Sequence, residues 1–383
     1  MTDRTDPSQP PARAKYLIDQ GIDCPRVVSG YEPVAASVLA GNIEKFIGMA
    51  QVPIGLAGPL EVRGTYAQGM FHIPLATTEG ALVASYNRGM KACSLAGGVK
   101  SIFVNEGIQR SPFFKFSSID EVLSFLKWVY ENRTTFDALV KETSRFAQLI
   151  HIRPTIEGNS VILTMEYTTG DASGQNMVTI CTDRICKFIL DHTPQTIENW
   201  YIESNYSGDK KATSVSFSNV RGRKVSAEIT LPRQVVKDIL KTTPESMTEY
   251  WKSSTLAVMQ SGAIGAQGHI ANGLTAIFIA TGQDVACISE SSVGLTRMEL
   301  NADGDLYAAL TLPSLMIGTI GGGTGLPTQK ECLEIMDCYG KGKSQKFAEI
   351  CCAVSLAGEL SIASALAANH FTNAHERLGR KHG

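Results

Sequence analysis

Apolar positions recur at three- and four-residue spacing through Leu82, Val83, Tyr86, Met90 and Cys93, which predicts one helix over 79–96. Thr77 and Thr78 stand before it as N-cap candidates. Upstream, 46–73 reads as short β-like pieces cut by Pro53, Gly55, Gly58 and Pro59. The texture changes at 111. Charged amphipathic helices over 118–132 and 137–147 precede a strand at 160–167, a turn at 168–173 and a helix at 176–190. This alternation is compact enough for an α/β unit of roughly 90 residues. Strands follow at 212–217 and 224–231, either side of a turn at 220–223. Two small-residue-rich helices, 256–281 and 347–376, dominate the rest and are predicted to form a close central pair. Residues 1–13 read as a disordered leader, and 28–33 is turn-rich.

Composition narrows this picture. At about 150 residues per domain, 383 residues suggest two or three domains. With 43% apolar and 19% charged residues the chain can build a large core. The 35 basic and 37 acidic residues leave a charge of −2, which argues against a nucleic-acid partner. Nine cysteines, an odd number without CxxC spacing, point to free thiols in a reducing cytoplasm. The N-terminus has no apolar core of a secretory signal. The stretch 351–369 approaches a membrane span in length, but Glu359 and its serines mark it as a packed core helix, so no membrane partner is expected.

Several familiar signatures are missing. The run Gly321-Gly322-Gly323-Thr324-Gly325 does not satisfy G-x-G-x-x-G, and Asp337 stands where a P-loop ending at Lys343-Ser344 needs glycine. HExxH, G-x-S-x-G and paired Cys/His spacing are absent, and no metal is expected. Four polar stretches remain, each with a plain structural reading beside a functional one. Glu79 is either a favourable first-turn acid or a site carboxyl. The loop 205–211, with adjacent Lys210 and Lys211, is either a solvated turn or a cationic site. Asp284, just past an apolar helix, is either an exposed cap or a site acid; because it opposes the helix dipole, it calls for a lysine partner. His370 and His375 are each either structural or chemical.

Taken together, the texts PIGLAGPL (53–60), ATTEGALVASYNRG (76–89), NYSGDKK (205–211), GHIANGLTAIFIATGQD (268–284), IGTIGGGTGLP (317–327) and AGELSIASALAANHFTNAH (357–375) closely resemble 3-hydroxy-3-methylglutaryl-coenzyme A (HMG-CoA) reductase. The resemblance spans about residues 40–380 and is similar to the eukaryotic and archaeal class, here without a membrane anchor. It implies an α+β fold: a large helical domain around central helices, with an inserted small ferredoxin-like α/β cofactor-binding domain. The expected divisions are a leader at 1–45, a first part of the large domain at 46–110, an NADPH-binding insert at 111–202 and the rest of the large domain at 203–383.

The resemblance further implies two NADPH-dependent reductions of an acyl-CoA thioester, through a hemithioacetal and an aldehyde, to mevalonate and CoA. Such chemistry needs a cation at the oxyanion and acids for that oxygen and the departing thiolate. The family pattern assigns Lys210 to the oxyanion, Glu79 to proton donation, Asp284 to tuning both, and His375 to the CoA thiolate. His370 keeps its reading as a packed residue. The substrate carboxylate maps onto Arg110, Lys211 and Lys252, with Asp209 and Asn272 orienting, and CoA onto Ser85, Asn87, Arg88 and Lys241. NADPH maps onto Asp171, Ser173, Gly174, Gln175, Asn176 and Met177, onto Ile320, Gly321 and Gly322, and onto Ser144, Arg145 and Phe146. Arg145 favours NADPH over NADH because a guanidinium suits a 2′-phosphate. Glu203 stands where the family carries a serine near the substrate, and it would repel a carboxylate unless paired with Arg110 or a lysine. Ser173, Gln175 and Ile288 also depart from the pattern, and Lys381 replaces a phosphorylated serine of animal relatives. A related branched acyl thioester, or binding of CoA and NADP without turnover, are the alternatives. The expected assembly is a homodimer or homotetramer with the site at the subunit interface.

Overall fold

The structure is a computed structural model that describes residues 41–368 together with 16–17, 19–22, 24, 26–27 and 36–39. The leader at 1–13, the turn at 28–33, His370, His375 and Lys381 lie outside the described residues.

The β-like pieces at 46–73 are in fact a long antiparallel pair, β1 (Ile54–Gly64) and β2 (Gln68–Ala76). The following helix, α1, spans Leu82–Leu95 and starts three residues later than its periodicity predicts. Ala81, at φ 72, breaks the helical path, so neither threonine caps the helix. Thr77 Oγ1 instead accepts the amide of Glu79 (3.0 Å), which leaves Glu79 in the preceding loop.

Strand β3 (Val99–Arg110) joins two sheets. Its first residues pair in parallel with β1, its middle pairs with a later strand, and Ile108–Arg110 pair with Tyr167–Met165. Beyond it come β4 (Phe113–Lys115), α2 (Ile119–Glu131) and α3 (Arg133–Thr143). Helix α3 precedes its expected span by four residues, because Ser144 Oγ ends it by accepting the amides of Phe146 and Ala147, both at 3.2 Å. Then follow β5 (Gln148–Glu157), β6 (Ser160–Thr168), α4 (Gln175–His192) and β7 (Asn199–Tyr201). Phe125, Trp128 and Phe188 stack between these helices and the sheet, and Phe136 meets Trp128 and Phe188 edge-on.

The strand expected at 212–217 is a 3-10 turn, Ser214–Phe217. Ser216 Oγ donates to Thr213 O at 2.7 Å, the local bond by which hydroxyl residues favour turns. Strand β8 (Gly222–Leu231) follows as expected. The single helix expected at 256–281 is two, α5 (Pro244–Ser261) and α6 (Ile270–Thr281). Thr243 caps α5, Pro244 opens it, and Gly262 and Gly265, both at positive φ, break the path between the two. Strands β9 (Leu295–Leu300) and β10 (Leu306–Leu315), α7 (Pro327–Ile335) and α8 (Ser344–Ala367) complete the fold. Strand order is β7-β4-β6-β3-β8-β10-β9, with β1 on β3, β2 on β1 and β5 on β6. The α+β class stands.

The expected central helices do meet, through α1 as well. A Cβ on Gly89 would lie 1.8 Å from the carbonyl oxygen of Ala357, and the Tyr86 ring fills the space left by Gly273 and Gly358. By length and composition α8 resembles a membrane span, yet most of it is enclosed by the sheet and by α1, α5 and α6.

Candidate active site

The turn after α6 is where the sequence-predicted residues gather. Gly282, at φ +69, comes so close to Gly323 that a Cβ would sit 2.3 Å from its carbonyl oxygen. Gln283 Oε1 accepts the Gly318 amide at 2.8 Å, which ties the glycine-rich loop to this turn. Asp284 Oδ1 accepts the Ala286 amide (3.1 Å) and so caps the short turn Val285–Cys287. Its Oδ2 lies 3.2 Å from Lys210 Nζ, and both side chains are about half exposed (47% and 46%). The lysine partner that Asp284 calls for is therefore Lys210. An ion pair this exposed adds at most about 1 kcal/mol to stability. Its effect is on position: the bond to Asp284 orients the ammonium and raises the Lys210 pKa above its usual value. Lys210 itself sits at φ 56, and its amide donates to Glu290 Oε1 at 3.2 Å. A second carboxylate thus meets the lysine through its backbone rather than its ammonium.

Beneath this loop runs a buried charge network. Arg221 donates to Asp209 Oδ1 (2.5 Å), Glu290 Oε1 (3.3 Å) and the Gln109 carbonyl (3.2 Å). Arg110, at the end of β3, bonds Asp209 Oδ2 (2.9 Å) and Thr179 Oγ1 (2.7 Å). Glu203 Oε2 lies 3.6 Å from Arg110 Nη1 and accepts the Ser111 amide at 3.4 Å. The pairing that Glu203 requires is thus present. Burial opposes ionisation of Asp209, but Arg221 and Arg110 outweigh it and hold the carboxyl below its usual range. Burial raises the Glu290 carboxyl despite Arg221. Asp209, Cys287 and Glu290 each bring a donor atom within 4.8 Å of the others. Arg221 already bonds both carboxylates and burial pushes the Cys287 thiol up, so the trio is an ion-pair cluster. Lys211 Nζ folds back onto Asn205 Oδ1 (3.2 Å) and the Asp209 carbonyl (3.0 Å). Lys252 is exposed on α5, and no hydrogen bond or ion pair links it to this cluster among the described residues.

The proposed cofactor turn lies against the same place. Gln175 Nε2 reaches Cys287 Sγ at 2.7 Å, and a Cβ on Gly318 would fall 2.6 Å from the Ser173 amide. Gly174 caps α4 in the left-handed region with no side chain bonding the first helical amides, which leaves donors at Gln175, Asn176 and Met177. Around Gly170, Gly321 and Gly322 a Cβ would meet nothing within 4 Å, so backbone is open to approach there. Ile320, Arg145 and Phe146 are exposed, and Ser144 ends α3 beside the latter two. This arrangement fits a pyrophosphate-bearing nucleotide. Asp171 is used otherwise: its carboxylate accepts the amides of Gly342 (2.8 Å) and Ser344 (3.2 Å) at the start of α8. Burial works against that charge, but the two amides prevail and lower the pKa.

Glu79 is exposed, with Asn272 Nδ2 bonding Oε2 (2.9 Å) and Oε1 (3.2 Å). Among the described residues no hydrogen bond or ion pair joins it to Asp284 or Lys210. Ser85 and Arg88 both bond Ser361 on α8, at 3.0 Å between hydroxyls and 2.7 Å from Arg88 Nη2 to the Ser361 carbonyl. Asn87 Oδ1 accepts the Gly58 amide at 3.1 Å, and Lys241 is exposed at φ 61.

Sequence reasoning passed over Arg221, Arg223 and Glu290. Arg223 is fully buried and donates to the carbonyls of Gly170 (2.5 Å) and Ile317, clamping both loops from below. No local signal marks them: Arg221 and Arg223 flank the start of β8, where charged residues commonly face solvent, and only partners distant in sequence draw them inward.

An α+β frame that sets a charged lysine–aspartate pair against an open helix N-terminus suits an enzyme handling anionic substrates. Comparison with known proteins makes this specific. The family model described as hydroxymethylglutaryl-coenzyme A reductase matches residues 14–380. The 3-hydroxy-3-methylglutaryl-coenzyme A reductase of Pyrococcus horikoshii is 44% identical over 360 residues, 92% of this chain and 87% of that protein. That of Methanocaldococcus jannaschii is 43% identical over 344 residues, 88% and 85% of the two chains. The solved class II enzyme of Streptococcus pneumoniae bound to NADPH aligns with a TM-score of 0.72 over 93% of this chain and 96% of that chain, at 18% identity. The chain belongs to the hydroxymethylglutaryl-coenzyme A reductase family.

Proposed function

We propose that the protein reduces HMG-CoA to mevalonate and CoA with NADPH, through a hemithioacetal and mevaldehyde. The observation that carries this reading is the Lys210–Asp284 pair, set where the loops 170–177, 203–211 and 318–322 converge in a member of this family. When bound, NADPH supplies the two hydrides. Lys210, an ammonium that Asp284 holds in place and raises further in pKa, stabilises the oxygen of each reduced carbonyl. Glu79, steadied by Asn272, protonates that oxygen. His375 protonates the departing thiolate. Arg110 keeps Nη2 clear of its bonds to Asp209, Glu203 and Thr179 and, with Lys211 and Lys252, reads the substrate carboxylate. Ser85, Asn87, Arg88 and Lys241 border the CoA path.

Residues 111–202 form the NADPH-binding insert of a larger unit built from 46–110 and 203–383, with Arg145 selecting the 2′-phosphate. The protein is class I-like and works in the cytoplasm as a homodimer or homotetramer whose site lies at the subunit interface. The exposure of Glu79 in a single chain supports that last point. The pairing of Glu203 with Arg110 removes the reason to prefer a different thioester. The test is NADPH oxidation with HMG-CoA. Lys210→Ala is expected to lower kcat by about 10²–10³-fold, the loss found when one oxyanion donor is removed. Undiminished turnover in that variant would refute the mechanism.

A further inference from the structure

Glu359 lies buried within α8, and the proposed chemistry gives it no role. A carboxylate in the core needs donors. Its Oε2 accepts the Gly268 amide (2.8 Å) and its Oε1 the His269 amide (2.5 Å), and no ion pair reaches it among the described residues. Among the described residues, three titratable groups from other elements face it. These are Tyr86 on α1, whose pKa it helps to raise, His269 at the start of α6, and Tyr250 on α5, which lines the same small cavity. None is a cation: burial pushes the His269 pKa down to about 4.

The two amides belong to the residues that lead into α6, its N-cap His269 and the preceding Gly268, and no helical carbonyl stands before them to accept their N–H groups. Glu359 therefore acts as the cap of α6, supplied from another helix. The bonds continue from there. The His269 carbonyl accepts both the Tyr86 hydroxyl (3.0 Å) and the Asn272 amide (3.2 Å). Asn272 in turn holds both oxygens of Glu79. One unbroken series of hydrogen bonds thus runs from a core carboxylate to the exposed carboxyl of the site.

We propose that Glu359 is a positioning residue for Glu79: by holding the Gly268 and His269 amides it fixes the first turn of α6, hence Asn272, hence the carboxyl that Asn272 grips. This rests on the reading of Glu79 as proton donor. Glutamine at 359 has a single acceptor oxygen and sets an amino group against the other N–H, so one amide loses its partner.

The experiment is a double-mutant cycle on the full-length protein, with kcat and KM for HMG-CoA measured for Glu359→Gln, Asn272→Ala and both together. Each single change is expected to lower kcat on the order of tenfold, as the loss of one well-placed hydrogen bond does, with KM little changed. The double variant should be no worse than the poorer single one. Losses that multiply, or a Glu359→Gln enzyme with unaltered kcat, overturn the proposal. If Glu359→Gln does not fold, Glu359→Asp replaces it in the same cycle, since aspartate keeps the charge but is too short to span both amides. Glu79→Gln separates the two readings. Full turnover in that variant removes the proton-donor role itself. Its loss, combined with a multiplicative cycle, removes the positioning role alone.

Discussion

Replacing Arg221 by methionine asks how the loop bearing Lys210 is held. The guanidinium is almost wholly buried (3% exposed) and bonds Asp209 and Glu290 at once. Removing one partner of a buried ion pair costs about 3–5 kcal/mol, because the other charge is left without compensation. The low end applies here. Asp209 keeps Arg110 at 2.9 Å, and Glu290 keeps the Lys210 amide at 3.2 Å. Glu290, already raised by burial, also escapes part of the penalty by taking up a proton. At about 2.1 cal/mol/K per residue, this chain of 383 residues has an unfolding entropy of roughly 0.8 kcal/mol/K, so a loss of about 3 kcal/mol lowers Tm by about 4 °C. The sign of the pH dependence follows. A carboxyl with a raised folded-state pKa binds its proton more tightly folded than unfolded, so stability is lost as pH rises through that range. The deficit of the variant should therefore grow from pH 5 to pH 8 in scanning calorimetry. A Tm within about 1 °C of the parent at pH 8, or a deficit independent of pH, would refute the claim that buried charge holds this loop.

Two further outcomes are expected. Gly89→Ala forces a methyl to within 1.8 Å of the Ala357 carbonyl oxygen and should cost about 3 kcal/mol or more. Gly325→Ala, where a Cβ meets nothing within 4 Å, should leave Tm unchanged; equal Tm values for both would contradict the close packing of α1 on α8. Cys93, Cys181, Cys186, Cys287, Cys332, Cys338, Cys351 and Cys352 are buried free thiols, so a thiol reagent should react slowly with them in native protein and with at least these eight groups after denaturation, and fewer would reveal a disulfide.

The helices with one apolar face were legible because their surroundings are simple. α2 and α4 each lie on one sheet and keep one face in solvent, so period and burial agree. β3 was not legible. Ile102 and Val104 are exposed while Ser101, Gln109 and Arg110 are buried, so the alternation that marks a strand is scrambled along it. The cause is its double duty: it leaves one sheet and enters another between Gly107 and Ile108. β10 was missed for a different reason: its burial alternates over Leu306–Leu312, but the half-buried face carries apolar Tyr307 and Ala309, and Leu312–Leu315 are all buried, so the sequence shows little alternation.

The same distinction divides the site. Residues that point at solvent from loops, such as Lys210, Asp284 and Glu79, stand out as charges in apolar or glycine-rich text. Those that hold them do not. Arg221, Arg223, Glu290 and Glu359 are each buried and bonded to a segment far off in sequence: Arg221 and Glu290 are 69 residues apart, and Glu359 and His269 are 90. Periodicity is a local property, and a buried charge is permitted only by partners brought in by the fold. Such a residue reads in the sequence as an interruption of a core helix or strand, with its reason elsewhere. Glu359 shows the difference most clearly. In the sequence it is a charge interrupting the apolar stretch 351–369; in the fold it is the acceptor that holds the entry to α6, and α6 carries a site residue near one end and delivers another just beyond the other.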